Sequence, residues 1–115
     1  MESILTSIKK LLGITEDYEH FDTDIIIHIN SVFSILTQIG VGSENGFSIS
    51  DKTATWSDFI SDNVKIEMVK TYVYLKVKLL FDPPLNSSVT NSMEKTISEL
   101  EWRLNVETDV KEETG

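Results

Sequence analysis

Residues 69–84 read Val-Lys-Thr-Tyr-Val-Tyr-Leu-Lys-Val-Lys-Leu-Leu-Phe-Asp-Pro-Pro, an apolar, lysine-studded stretch of helical length closed by two prolines. Proline disfavours helical geometry at the residue before it, so a helix through this stretch must stop by Asp82. Upstream, Asp62 or Asn63 offers an N-cap, and the expected helix covers residues 63–81. At about 100° per residue, Val64, Met68, Tyr72, Leu75 and Leu79 form one apolar stripe, and Ile66, Val69, Val73, Val77 and Leu80 form a second beside it. Two stripes require two neighbours, which places this helix at the centre of the fold. Lys65 and Lys76 fall on the line between the stripes, where burial is costly unless the ammonium reaches water or meets a carboxylate.

Three further segments have helical periodicity. Residues 2–12 carry Ile4, Leu5, Ile8, Leu11 and Leu12, with Ser3 as cap and Gly13 where a left-handed residue ends a helix. Residues 24–39 place Ile25, Ile29, Val32, Phe33, Leu36 and Ile39 on one face, with Asp22 or Thr23 as cap and Gly40 as stop. Their β-branched richness lowers helix propensity, so this helix depends on packing. The last segment begins near Ser88 or Thr90 and runs to about Val106, with Val89, Met93, Ile97, Leu100 and Leu104 in one stripe. Trp102 lies about 160° from Leu100 and cannot share that stripe.

Between the second and third helices, residues 40–62 break the pattern with three glycines and many small polar residues. Phe47-Ser-Ile-Ser50 alternates as a short strand would, and Trp56, Phe59 and Ile60 fit a single helical turn. A loop this long in a compact domain is usually functional or disordered. It is expected to be mobile in the free protein and to order on a partner, with Phe47, Ile49 and Trp56 as anchors. The fold class is therefore mostly α: a small bundle of four main helices with a long loop between the second and third. Residues 1–106 form one domain, and 107–115 a flexible acidic tail with little to bury.

Charge and composition exclude several functions. A formal net charge of −9 argues against a duplex-DNA reader, because such affinity comes from lysine and arginine neutralising phosphates. Glu16, Asp17, Glu19, Asp22 and Asp24 crowd one connection, whereas Lys65, Lys70, Lys76 and Lys78 against Glu67 leave the central helix positive. Such separation suits assembly by charge complementarity, or a conduit through which DNA slides without sticking. The chain has no cysteine, which removes disulfides and thiolate chemistry. It has no apolar run of the ~18 residues a membrane helix needs, and its first residues lack a basic leader, so a soluble, unprocessed cytoplasmic product is expected. His20 and His28 lack the i,i+4 spacing of a helical zinc site, and Glu94, Glu99 and Glu101 lack the Glu-x-x-His pattern of di-iron bundles. Gly40-Val-Gly42 does not continue into a nucleotide-binding fingerprint. Neither catalytic residues nor cofactors are expected.

The block Leu75-Lys-Val-Lys-Leu-Leu-Phe-Asp-Pro-Pro84 and the segment Ser98-Glu-Leu-Glu-Trp-Arg-Leu-Asn105 resemble the head-tail connector proteins of tailed bacteriophages. The less specific Leu11-Leu-Gly-Ile14 end of the first helix and the Asp22-Thr-Asp-Ile25 opening of the second extend the resemblance over most of the chain. It implies a non-enzymatic structural part of the virion at the head-tail interface, made in the host cytoplasm. It also implies a ring of roughly twelve subunits beneath the portal, docked after DNA packaging. Its partners would be the portal protein and a stopper or tail-completion protein, with duplex DNA passing through unread and no membrane involved. The contact candidates are Phe47, Ile49, Trp56, Lys65, Lys76, Trp102 and Arg103. Among these, Trp102 is expected to anchor a portal-facing contact from Trp102 to Glu113, and Lys76 to pair with a carboxylate of its own chain or a neighbouring subunit. Two other readings use the same acidity: a small regulatory domain that binds a protein through the Phe47–Phe59 loop, and a DNA mimic.

Overall fold

The computed structural model describes the backbone of residues 2–114 and the side chains of residues 2–106. Five helices follow in order: α1 (Ile4–Leu11), α2 (Asp22–Gln38), the single turn α3 (Trp56–Phe59), α4 (Asn63–Phe81) and α5 (Ser87–Thr114). The protein is mostly α, with four main helices and a long connection between α2 and α4 that holds the one short turn. α4 packs against each of the other four helices, α2 and α5 most extensively, and is the central element.

Local signals account for most helix ends. The Ser3 side chain accepts from the Thr6 N–H at the start of α1, and the last turn carries Lys9 and Lys10 where the helix dipole favours cations. Asp62 accepts from the Val64 and Lys65 N–H groups and opens α4, which ends before Asp82-Pro83. α2 departs from expectation. Phe21 occupies the N-cap position without a side-chain bond, and Asp22 is the first helical residue. The Asp22 carboxylate is drawn to Lys9 on α1, leaving Asp22 and Asp24 to act on the helix dipole from within the first turn. α5 continues past Val106 to Thr114. The expected mobility of residues 107–115 concerns side chains and a final residue outside the described set.

One contiguous core joins all the helices. It takes Ile4, Leu5 and Ile8 from α1, Ile25, Ile29, Val32, Phe33 and Leu36 from α2, and Ile66, Val69, Tyr72, Val73 and Val77 from α4. Ile97 and Leu104 are the α5 residues buried in it. The second predicted stripe of α4 is thus buried except for Leu80, while the first yields only Tyr72 in full; Met68, Leu75 and Leu79 are half-covered. Val64 and Leu80 are exposed in the terminal turns of α4, and Val89 in the first turn of α5. No strand occurs among the described residues. The extended stretch before α3 instead forms one isolated antiparallel bridge between Thr55 and Ser3, with the Ile4 N–H donating to the Ala54 carbonyl at 3.0 Å.

Candidate functional site

The 40–62 connection, expected as a mobile loop, packs against the bundle as a strap. Alternation in Phe47–Ser50 is real: Phe47 and Ile49 turn inward, Ser48 and Ser50 outward. Instead of a neighbouring strand, the side chain of Asn30 on α2 pairs with this backbone. Its Nδ2 donates to the Ile49 carbonyl at 2.9 Å, and its Oδ1 accepts from the Ile49 N–H at 2.7 Å. Ile49 is 5% exposed and Trp56 only 1%. The Trp56 indole N–H donates to Ser7 Oγ at 2.8 Å, tying α3 to α1. Between ring centroids Phe47 lies 5.1 Å from Phe33 in an edge-to-face contact and 5.2 Å from Phe59 in a tilted one. Of the three loop candidates, Ile49 and Trp56 are thus buried in the chain's own core, and Phe47 is half-buried against it. Gly42 makes this packing possible: it has φ +84°, and a Cβ there would sit 2.6 Å from the Phe59 ring.

The lysines divide into paired and unpaired. Lys78 meets Asp82 at 2.8 Å, and Glu2 bridges Lys10 at 3.4 Å and Lys70 at 3.6 Å. Lys65 is only 7% exposed, yet its ammonium has no carboxylate partner among the described residues. Half-buried Lys76 has none either, so the same-chain partner expected for it is absent from that set.

Trp102 is 66% exposed on α5, as its angle from Leu100 requires. The next residue, Arg103, donates to Glu99 one turn earlier at 2.8 Å, an exposed i,i+4 pair of small worth. Glu101 faces α4, where it accepts a 2.6 Å hydrogen bond from the Tyr72 hydroxyl. Burial, then the hydrogen bond to Glu101 and its negative charge, hold the Tyr72 hydroxyl protonated well above the usual tyrosine range.

Sequence reasoning missed two residues that organise the molecule. One is Asn30. The other is Lys9, 2% exposed, whose ammonium donates to the Glu16 carbonyl at 2.9 Å and lies 2.8 Å from Asp22 Oδ1. That buried oxygen makes no well-aligned hydrogen bond, so its contact with Lys9 is an ion pair. The signal was present: Lys9 sits one turn after Leu5 on the apolar face of its helix, ahead of a connection rich in carboxylates.

The cleft of about 490 Å³ between α2 and the strap is lined by Asn30, Ser34, Thr37, Gln38 and neighbouring loop residues, without a charged group. Among the described residues, no three His, Asp or Glu side chains gather as a metal site. No helix there is long and apolar enough to cross a membrane.

Against protein-family models, residues 4–111 match the family described as phage connector protein. Comparison with the curated proteins finds no match, and neither does comparison with the solved structures.

Proposed function

Because the chain belongs to the phage connector protein family, we propose that it is a structural head-tail connector that docks as a ring under the portal after DNA packaging. The observation that carries this reading is the family match over residues 4–111, nearly the whole chain and both of its characteristic segments. The ring, of roughly twelve copies, extends the DNA channel and offers a platform to a stopper or tail protein. Duplex DNA passes through without sequence-specific binding, and no cofactor takes part. The protein is made in the host cytoplasm and ends at the head-tail interface of the virion.

In this reading Trp102 is the anchor of the portal contact. A large aromatic group exposed on a helix, beside the exposed Glu99–Arg103 pair, suits burial against a partner. The acidic residues Glu107, Asp109, Glu112 and Glu113 steer the approach to a basic surface. Lys65 and Lys76, lacking carboxylate partners in their own subunit among the described residues, pair with carboxylates of adjacent copies. The strap closes over its own anchors, which removes the motive for a regulatory domain that binds through its loop.

The experiment is to add purified protein to DNA-filled heads that lack it and to weigh the product. The parent should add the mass of a ring. Trp102→Ala should keep the parent's melting curve and dissociate at least about tenfold faster, the effect of losing an aromatic anchor worth about 2 kcal/mol. Truncation after Asn105 should slow loading and weaken its dependence on salt. Unchanged dissociation of Trp102→Ala would remove the anchor role, and the absence of added mass with the parent would remove the connector reading.

A further inference from the structure

A second apolar surface lies at the other end of the bundle, where the acidic connection, the start of α2 and the α4–α5 corner meet. Ring contacts join these parts: Tyr18 to Phe21 at 5.8 Å, Phe21 to Phe81 at 5.3 Å, and His28 to Phe81 at 6.4 Å. From this corner to Trp102 is roughly 20 Å along α5 at 1.5 Å per residue. Tyr18, Leu80, Leu85 and Val89 are exposed here, and Leu85 is fully so. Pro83 and Pro84 fix the backbone immediately before Leu85, so presenting this side chain costs little ordering when a partner arrives. The patch continues into an open, mainly apolar groove of about 340 Å³ between α4 and α5, lined in part by Leu75, Val89 and Met93.

The charges around this patch select its occupant. Glu16, Asp17, Glu19 and Asp24 are exposed and have no ion-pair partner among the described residues, whereas Asp22 is neutralised by Lys9 and Asp82 by Lys78. A second copy presenting the same pole would set two such acidic rims face to face and be repelled.

We propose that this pole is a docking surface for a different protein, one that meets it with lysine and arginine side chains around an apolar patch. Resting on the connector reading, this partner is the protein on the tail side, and the subunit is a two-ended adaptor with Trp102 near one end and Leu85 at the other.

The test uses heads lacking this protein, free tails from the same mutant infection, and three chains: the parent, Leu85→Asp, and the double variant Glu16→Lys with Glu19→Lys. All three positions are exposed, so the fold is not at stake. Each variant should load onto heads as the parent does. Leu85→Asp should then join tails at least about tenfold less well, the effect of a lost interface anchor. The double variant should join about tenfold more slowly at low salt, with its salt dependence flattened. Joining of tails by both variants at the parent's rate overturns the assignment while leaving the connector reading intact. Loss of loading with normal joining per loaded head overturns it as well, since the pole would then face the head. A parent that sediments as an oligomer broken by Leu85→Asp makes the pole a contact between copies and refutes it. A parent that does not load onto such heads overturns the connector reading, and the pole assignment falls with it.

Discussion

Replacing Asn30 with alanine tests whether the strap is a built element of the subunit. The substitution deletes both hydrogen bonds to Ile49, at 2.9 and 2.7 Å. Each contributes about 1 kcal/mol net, so the direct loss is about 2 kcal/mol. Ile49 is nearly inaccessible, so its N–H and carbonyl would be left unpaired unless water enters, at a further cost of about 1–3 kcal/mol. Relief by opening the strap would instead expose Ile49 and Phe47, and full burial of such side chains is worth about 1.5–3 kcal/mol each. By either route the expected destabilisation is about 3 kcal/mol, a large share of the roughly 5–15 kcal/mol that holds a domain of this size. The isosteric Asn30→Asp keeps the acceptor and loses the donor, and should cost about 1 kcal/mol or more. Urea unfolding measures the loss, and amide exchange at Ile49 locates it: protected in the parent, fast in Asn30→Ala. An Asn30→Ala chain with the parent's urea midpoint, or an Ile49 amide already unprotected in the parent, would refute the clamp.

Other perturbations follow from the same geometry. In the folded state the Tyr72 hydroxyl is held protonated above its ordinary pKa near 10, so its contribution is fully present below about pH 10 and drains away as pH rises beyond it; Tyr72→Phe should show a shallower loss of stability above about pH 10 in urea titrations. Gly42→Ala forces both a positive φ and contact with the Phe59 ring and should destabilise by about 2–3 kcal/mol, whereas Gly46→Ala, with φ +88° and open space, should lose about 1 kcal/mol; equal melting of the two would remove the steric role of Gly42. Lys9→Met leaves the mostly covered Asp22 carboxylate without its partner and should cost about 3 kcal/mol in thermal or urea unfolding, with no loss meaning that water replaces the ammonium freely.

How far these features were readable depends on how local their causes are. The limits of α4 follow from Asp62 before it and Pro83 after it, both within a turn of the ends they set. The exposure of Trp102 follows from one angle on one helix. Asn30 is different, because its role exists only once residues far apart in the chain are brought together, and a polar residue on α2 reads simply as part of its wet face. The alternation of Phe47–Ser50 matched the alternating burial of these side chains, although the short strand it suggested does not form. What it could not reveal was that a side-chain amide, and not a strand, would complete the pairing. Lys9 was hidden by its charge: a lysine is read as solvated unless the carboxylate that receives it is already known to fold back. Glycine content misled in the 40–62 segment, since the same residues that suggest mobility also permit the close approach of Phe59.

The strap also changes the cost of chain length. An untethered connection spanning 40–62 would pay for closing one long loop, but pins at Ile49 and at the Ala54–Ile4 bond divide it into shorter closures. The part between α2 and the first pin turns at Ser43–Gly46, where the Gly46 N–H reaches the Ser43 carbonyl at 3.0 Å and the backbone is otherwise exposed. Because closure entropy grows only logarithmically, doubling the length of that turn would cost about 0.6 kcal/mol, provided neither pin is moved. The reach of this tip can therefore change by insertion while the bundle keeps nearly all of its stability.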